Sequence, residues 1–464
     1  MQYSLQANNA VFRFSFSIST FELYKSFMKK FPFLLMICWT TGLHLIAQTP
    51  KTFSAADILQ DIKKLEVFGS VLYIAAHPDD ENTRLLSYLA NEKHYRTGYL
   101  SLTRGDGGQN LIGNEQGIDL GLIRTQELLS ARRIDGAEQF FSRAYDFGYS
   151  KSPEEALRTW GHDKILSDVV WVIRKFRPDV MISRFPTTGE GGHGHHTASA
   201  LLAAEAFEAA ADPSKFPEQL KYVTPWQAKR LLWNTFNFGN TNTTRDDQFK
   251  MDVGMFNPVL GKSYGEMAAE SRSRHRSQGF GVPAQRGRSL EYFSAVKGAQ
   301  PVSDLMEGID ITAGRSGLNI APAFSLIRKK LSFEDPAVVL PDLIAAYAAV
   351  EKMPDGFWKN IKQAELKSLI EKCSGIFLEA IALNRINTTG DSMKIRVTAN
   401  NRAGATISAI SVKIGDSTYA VGKDKNAKII LTQLYLYRQT IKDFNLTGWP
   451  IRSGAEVLTC RISS

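Results

Sequence analysis

Ser70-Val71-Leu72-Tyr73-Ile74-Ala75-Ala76 runs directly into His77-Pro78-Asp79-Asp80-Glu81. The first seven residues are apolar almost throughout, with no alternation that would leave one face in water. They read as a β-strand buried on both sides, as in a parallel sheet covered by helices. Pro78 fixes the turn after the strand and biases His77 toward an extended backbone. A helical pattern over residues 81–91 follows.

The alternation repeats downstream. Residues 98–103 form a second strand that enters a glycine-rich turn, residues 121–139 carry helical spacing through Leu122, Leu128, Leu129 and Ile134, and residues 165–176 make an amphipathic helix. Arg177-Pro178 breaks that helix and leads into a third apolar strand over residues 180–183. Strands alternating with helices imply an α/β fold, a Rossmann-like, doubly wound and mostly parallel sheet whose ligands gather at the carboxyl ends of the strands. Beyond about residue 320 the pattern changes. Residues 341–382 read as two helices separated by Pro354-Asp355-Gly356, while 393–399, 407–414 and 429–437 alternate as strands do. The expected organisation is a leader over 1–48, an α/β domain over 49–320, a helical linker segment over 321–385 and a small all-β appendage over 386–464. The appendage reads as an incomplete sandwich of three or four strands.

Met28-Lys29-Lys30 precedes an apolar run over 31–47, the layout of a signal peptide with Met28 as the expected start and cleavage near Gln48. This reading makes the mature chain secreted or periplasmic, with no stable membrane span. The competing reading is a single membrane anchor, for which the run is slightly short and contains His44. The 464 residues carry a formal net charge of +9, of which the leader supplies three, so the remaining excess is weak ground for a nucleic-acid partner. A hydrophobic content of 43% with 22% charged residues is ordinary for a globular chain and names no function. Three cysteines, Cys38 in the leader with Cys373 and Cys460 far apart, supply neither a paired-cysteine metal site nor a disulfide framework.

Two segments carry chemistry. In the first, His77, Asp79 and Asp80 sit where the strand ends; the bland reading is that an aspartate merely caps the next helix. In the second, Gly191-Gly192-His193-Gly194-His195-His196 follows the third strand and precedes a helical run over 197–211. Residues three apart on a nascent helix share a face, so His193 and His196 point together and His195 points elsewhere. The bland reading there is a mobile loop with solvated imidazoles. Taken jointly, the segments supply the inventory of an open catalytic zinc site: His77, Asp80 and His196 as ligands, Asp79 as the base beside a vacant coordination position, and His193 facing a developing oxyanion.

With these residues quoted, the sequence over about 71–281 resembles the PIG-L or LmbE-like deacetylases, which act on N-acetylglucosaminyl phosphatidylinositol and N-acetylglucosaminyl inositol. The resemblance implies that His77, Asp80 and His196 bind zinc, that Asp79 is the general base and that His193 assists the tetrahedral intermediate. It also implies weaker matches. Arg104 and Asp106, in Thr103-Arg104-Gly105-Asp106-Gly107-Gly108, fall where relatives carry an acidic residue between glycines; alone they read as a turn. Arg124, with Glu127, matches an arginine that holds substrate hydroxyls; alone the two read as a surface pair. Asp146 falls near a substrate-contacting aspartate, and His275-Arg276-Ser277-Gln278 matches a late segment to which the residues themselves assign no role. The stretch 187–190 lacks a tyrosine that some relatives place near the scissile group, and the C-terminal appendage lies outside the minimal family domain.

The expected reaction is metal-dependent hydrolysis of an N-acyl, above all N-acetyl, amide on an amino sugar or glycoconjugate, with one Zn²⁺ per chain and Fe²⁺ as the alternative metal. Asp79 takes the proton of water, and protonated His193 stabilises the oxyanion. Two rival expectations stand beside it: an amidase on a larger amino-sugar conjugate, and a catalytically inert secreted carbohydrate-binding protein.

Overall fold

A computed structural model describes residues 53–354, 356–382, 394–405, 407–414, 417–421, 429–435 and 457–462. The leader expected over residues 1–48 lies outside them. Five strands run parallel: β1 (Ser70–Ala75), β2 (Arg96–Ser101), β3 (Glu138–Phe141), β4 (Val180–Ser183) and β5 (Arg230–Thr235). Two hairpins follow, β6 (Asn237–Phe238) with β7 (Thr241–Asn242) and β9 (Phe256–Asn257) with β10 (Lys262–Ser263). Between and after them, β8 (Phe249–Asp252) and β11 (Leu290–Lys297) extend the main sheet on an antiparallel edge. The order is β3-β2-β1-β4-β5-β11-β8, which confirms an α/β fold with a mostly parallel sheet.

Strand β1 shows why. Val71, Tyr73 and Ala75 enter one apolar core while Leu72 and Ile74 enter the other, all fully buried. Helices cover both faces: α2 (Thr83–Asn91) and α3 (Ile118–Asp135) follow β1 and β2, α4 (Pro153–Trp160) and α5 (His162–Phe176) lead to β4, and α6 (Gly194–Ala209) follows it. The chain leaves β1 toward β2 and β3 on one side, then returns to β4 and β5 on the other. The C-terminal ends of β1 and β4 therefore flank the point where strand order reverses, the crevice in which open α/β sheets generally bind their ligands.

The segment expected as a linker has a core of its own. Helix α1 (Ala55–Leu65), closed by a Ser54/Asp57 capping box, packs Ile58, Ile62 and Leu65 with Phe324, Leu343 and Leu366 of the later helices α8 (Ala321–Lys330), α9 (Leu340–Glu351) and α10 (Phe357–Ser374). Helix α7 (Tyr264–Arg272) belongs to the α/β unit and contacts α2 and α3. Residues Ile376–Ala382, expected at the end of a helix, are a strand, because Gly375 takes a left-handed φ of +61° and ends α10. The described part of the appendage has five strands, more than the three or four expected, and with Ile376–Ala382 they make two three-stranded antiparallel sheets. No helix among the described residues is long and apolar enough to cross a membrane.

Candidate active site

The turn after β1 is held by its own side chains. Tyr99 Oη donates to the His77 carbonyl at 2.5 Å, and the His77 N–H donates to Asp80 Oδ2 at 2.7 Å. Asn82, rather than Asp79 or Asp80, caps α2 by accepting from Leu85 N–H at 3.1 Å, so the bland reading of the aspartates as caps does not hold. Asp79 itself has φ +93°, a region that side chains other than glycine rarely occupy.

After β4, His193 is the N-cap of α6. Its Nδ1 accepts from His195 N–H at 3.2 Å and lies 3.0 Å from Ser150 Oγ, which leaves the ring proton on Nε2. Gly194 is required here, since a Cβ would lie 2.3 Å from the Ser152 carbonyl. His196 stacks on Phe185, with ring centroids 3.8 Å apart, and donates from Nδ1 to the Gly191 carbonyl at 2.9 Å. Its Nε2 is thereby turned toward Asp80 Oδ1, 3.5 Å away.

The His77 and His196 rings are 5.2 Å apart, and Nδ1 of His77 lies 3.1 Å from Asp80 Oδ2. Ligand atoms of His77, Asp80 and His196 all fall within 4.8 Å of one another. The donor set, two imidazoles and a carboxylate with His196 oriented by a carbonyl behind it, fits a divalent cation. A second group, His77, His193 and His195, meets the same distance criterion. It is the poorer holder, because Nε2 of His77 is already bonded to His195 Nδ1 at 3.0 Å. His195, expected to point elsewhere, is thus fully buried against His77 and packed by Phe147 and Trp160.

Electrostatics separates the groups. Burial raises Asp79 to about 6, with Arg124 opposing and Asp80 adding to the rise. Burial acts on Asp80 in the same sense, but His196 and His77 outweigh it and hold the carboxyl well below the usual range. Burial lowers His196 against the attraction of Asp80, keeping a neutral imidazole. Burial and then the His77 and His196 rings lower His193 to about 4, and burial with the neighbouring rings lowers His195 to about 2. His193 is therefore neutral at pH 7 and offers an Nε2–H hydrogen bond in place of the imidazolium charge expected.

None of the four residues expected at substrate, Arg104, Asp106, Arg124 and Asp146, lines the cleft onto which Asp79, Asp80 and His196 open. Arg124, only 3% exposed, donates to the carbonyls of Gly105 and Pro78 and to Asp79 Oδ1 at 3.2 Å. It has no contact with Glu127 of the kind expected; both Glu127 oxygens are taken by Ser277 N–H and Oγ. Asp146 is buried 3.9 Å from His77 Nε2 and 3.7 Å from His195 Nδ1, and Asp106 accepts from its N–H. Arg104 stacks on Phe141 and donates to Thr125 Oγ1. Gly105, with φ +69°, lets Arg124 lie against the loop, where a Cβ would come within 2.3 Å of the guanidinium. Meanwhile Asp79, Asp80 and His196 line a cleft of about 920 Å³ whose other walls include Arg184, Arg272 and Phe238. Arg184, Arg272 and Phe238 carried no local signal in the sequence.

With this geometry in hand, residues 72–207 match the family described as GlcNAc-PI de-N-acetylase, PIG-L. The chain is 28% identical over 203 residues to a mycothiol S-conjugate amidase of Streptomyces coelicolor, covering 40% of this chain and 68% of that protein. It is 26% identical over 205 residues to a 1D-myo-inositol 2-acetamido-2-deoxy-alpha-D-glucopyranoside deacetylase of Frankia alni, covering 39% and 68%. Among solved structures, the N,N'-diacetylchitobiose deacetylase of Pyrococcus horikoshii aligns at 18% identity and a TM-score of 0.35, over 50% of this chain and 82% of that one. The matched span contains both histidine-bearing segments, while β5, β8, β11 and α7 lie beyond it.

Proposed function

We propose that the protein hydrolyses an N-acyl amide, N-acetyl in the first instance, on an amino sugar or glycoconjugate. The observation that carries the reading is a half-buried carboxyl, Asp79, beside a His77/Asp80/His196 group able to hold a divalent metal at the wall of an open cleft. The names of the related deacetylases and amidase support the substrate class. Zn²⁺ is the metal this ligand set suits, with Fe²⁺ as the alternative. When bound, it supplies Lewis acidity toward an amide carbonyl and lowers the pKa of a water. Asp79, held near 6, accepts a proton from the attacking water and returns it to the departing amine nitrogen. His193 donates from Nε2 to the oxygen that becomes negative as the carbonyl carbon turns tetrahedral. Asp146 and His195 keep the His77 ring in place from behind.

A second reading, cleavage of a larger acyl conjugate, draws on the volume of the cleft and on the amidase relative. The deciding experiment measures acetate and free amine released by the metal-replete protein from N-acetylated glucosamine conjugates, beside larger N-acyl conjugates and the Asp79→Asn variant. Acetate release that the variant lacks supports deacetylation. Turnover of the larger conjugates alone favours the second reading, and no hydrolysis of either rejects both in favour of a binding protein. We also propose export, which N-terminal sequencing of the extracytoplasmic product tests by a start near Thr49.

A further inference from the structure

The His275-Arg276-Ser277-Gln278 segment, to which the sequence alone assigns no role, converges with its neighbours on Asp79. Asp79 is one of four non-glycine residues with positive φ among the described residues, and such a strained backbone persists only where its surroundings over-determine it. The surroundings do so from three directions. The Asp79 N–H donates to Glu81 Oε2 at 2.8 Å, the Asp79 carbonyl accepts from Arg272 Nη1 at 2.7 Å, and the preceding Pro78 carbonyl accepts from Arg124 Nη2 at 2.6 Å.

Glu81 is fixed in turn. Its Oε1 accepts from His275 Nε2 at 3.0 Å and from Arg132 Nη2 at 3.1 Å, and the Glu81 and His275 side chains are fully buried. Arg132 is anchored by Asp135, which also accepts from Ser271 Oγ. The segment is pinned beyond that point, because Ser277 donates twice to Glu127 on α3. Nδ1 of His275 has no partner, so the imidazole spends its one bond on Glu81.

We infer that His275, acting through Glu81, is a positioning residue that sets the Pro78–Asp79 peptide and with it the direction of the Asp79 carboxylate, with Arg272 holding the following peptide through the Asp79 carbonyl. The inference rests on the reading of Asp79 as the base. Neither His275 nor Glu81 touches substrate in this scheme. A placement error of about 1 Å at a reacting group costs on the order of 10²-fold in rate.

The test uses the full metal-replete protein and acetate release from an N-acetylated glucosamine conjugate. His275→Leu is expected to lower kcat by about 10²-fold with KM and bound metal per chain unchanged. His275→Gln, which restores a donor near the Nε2 position, recovers most of the loss. In an Asp79→Asn background the same His275→Leu change costs less than about threefold, since residues acting through one group are non-additive. Equal losses in both backgrounds, or loss of metal in step with activity, would overturn the inference. If His275→Leu does not fold, Arg272→Met, a change at the cleft wall, is put through the same pair of backgrounds with the same two outcomes. Full activity of Asp79→Asn alone rejects the base assignment, whereas an inactive Asp79→Asn with unaffected His275 and Arg272 variants rejects only the positioning role.

Discussion

Asp79→Asn is expected to inactivate the protein and, once metal has been stripped, to stabilise it. An ordinary aspartate titrates near 3.8, and burial lifts Asp79 to about 6 in the fold. Because the folded value is the higher one, the ionised carboxylate opposes folding: the penalty is complete above about pH 6, shrinks as pH falls through that value and vanishes below 3.8. A rise of about two units corresponds to about 3 kcal/mol at pH 7.5. Asparagine keeps the shape and an oxygen for Arg124 Nη2, tolerates a left-handed backbone better than most residues, and cannot ionise. Urea denaturation of the metal-free proteins should therefore show the variant more stable by up to about 3 kcal/mol at pH 7.5, with no gain near pH 4. Activity of the metal-replete variant should fall by about 10²–10⁴-fold. A variant less stable than the parent at pH 7.5, or a gain independent of pH, would show that the buried charge is not what Asp79 contributes to the energetics.

Metal analysis should find one divalent ion per chain in the parent and in Asp79→Asn, but little in His77→Ala or His196→Ala; full metal occupancy in both alanine variants would remove the His77/Asp80/His196 assignment. Arg132→Met strips a buried cation from Glu81 and Asp135 and should cost about 3–5 kcal/mol in equilibrium unfolding. A loss below about 1 kcal/mol would mean that solvent reaches the pair. Gly194→Ala forces a Cβ against the Ser152 carbonyl, and the required shift of α6 should cost about 1–3 kcal/mol and lower activity with it, measured on the same samples. Phe238, 80% exposed at the cleft wall, should affect KM more than kcat when replaced by alanine, and an unchanged KM across a panel of conjugates would exclude it from substrate contact.

The parts of this structure that could be read from the chain are those whose cause is local. Residues 70–76 are apolar on both faces, so a doubly covered strand follows directly, and the residues just past β1 and β4 fall at the crevice by topology. The His77/Asp80/His196 grouping was legible for a related reason: His77 and Asp80 directly follow β1, and His196 sits in the first turn of the helix that follows β4. What escaped depends on distance. The partners of His275 and Ser277 are 194 and 150 residues away in the sequence, and no periodicity links them. Arg124 was legible as a significant arginine but not as one turned inward, because its exposure is decided by Gly105 on a different loop. His195 shows the limit of helical spacing: it lies off the face shared by His193 and His196, yet at the first turn of α6 it meets the end of β1 rather than solvent. At Ile376–Ala382 an apolar run was compatible with either helix or strand, and a single left-handed glycine decided it.

Because Arg272, His275 and Ser277 lie some 65 positions or more past residue 207, the stretch matched by similarity does not contain every residue that braces the turn of Asp79. A polypeptide trimmed to 72–207 would keep every proposed metal ligand and still lose the struts behind Asp79, along with β5 and the antiparallel edge beyond it. Trimming, domain transplantation or directed evolution on this scaffold should treat the chain through β11 as one inseparable unit.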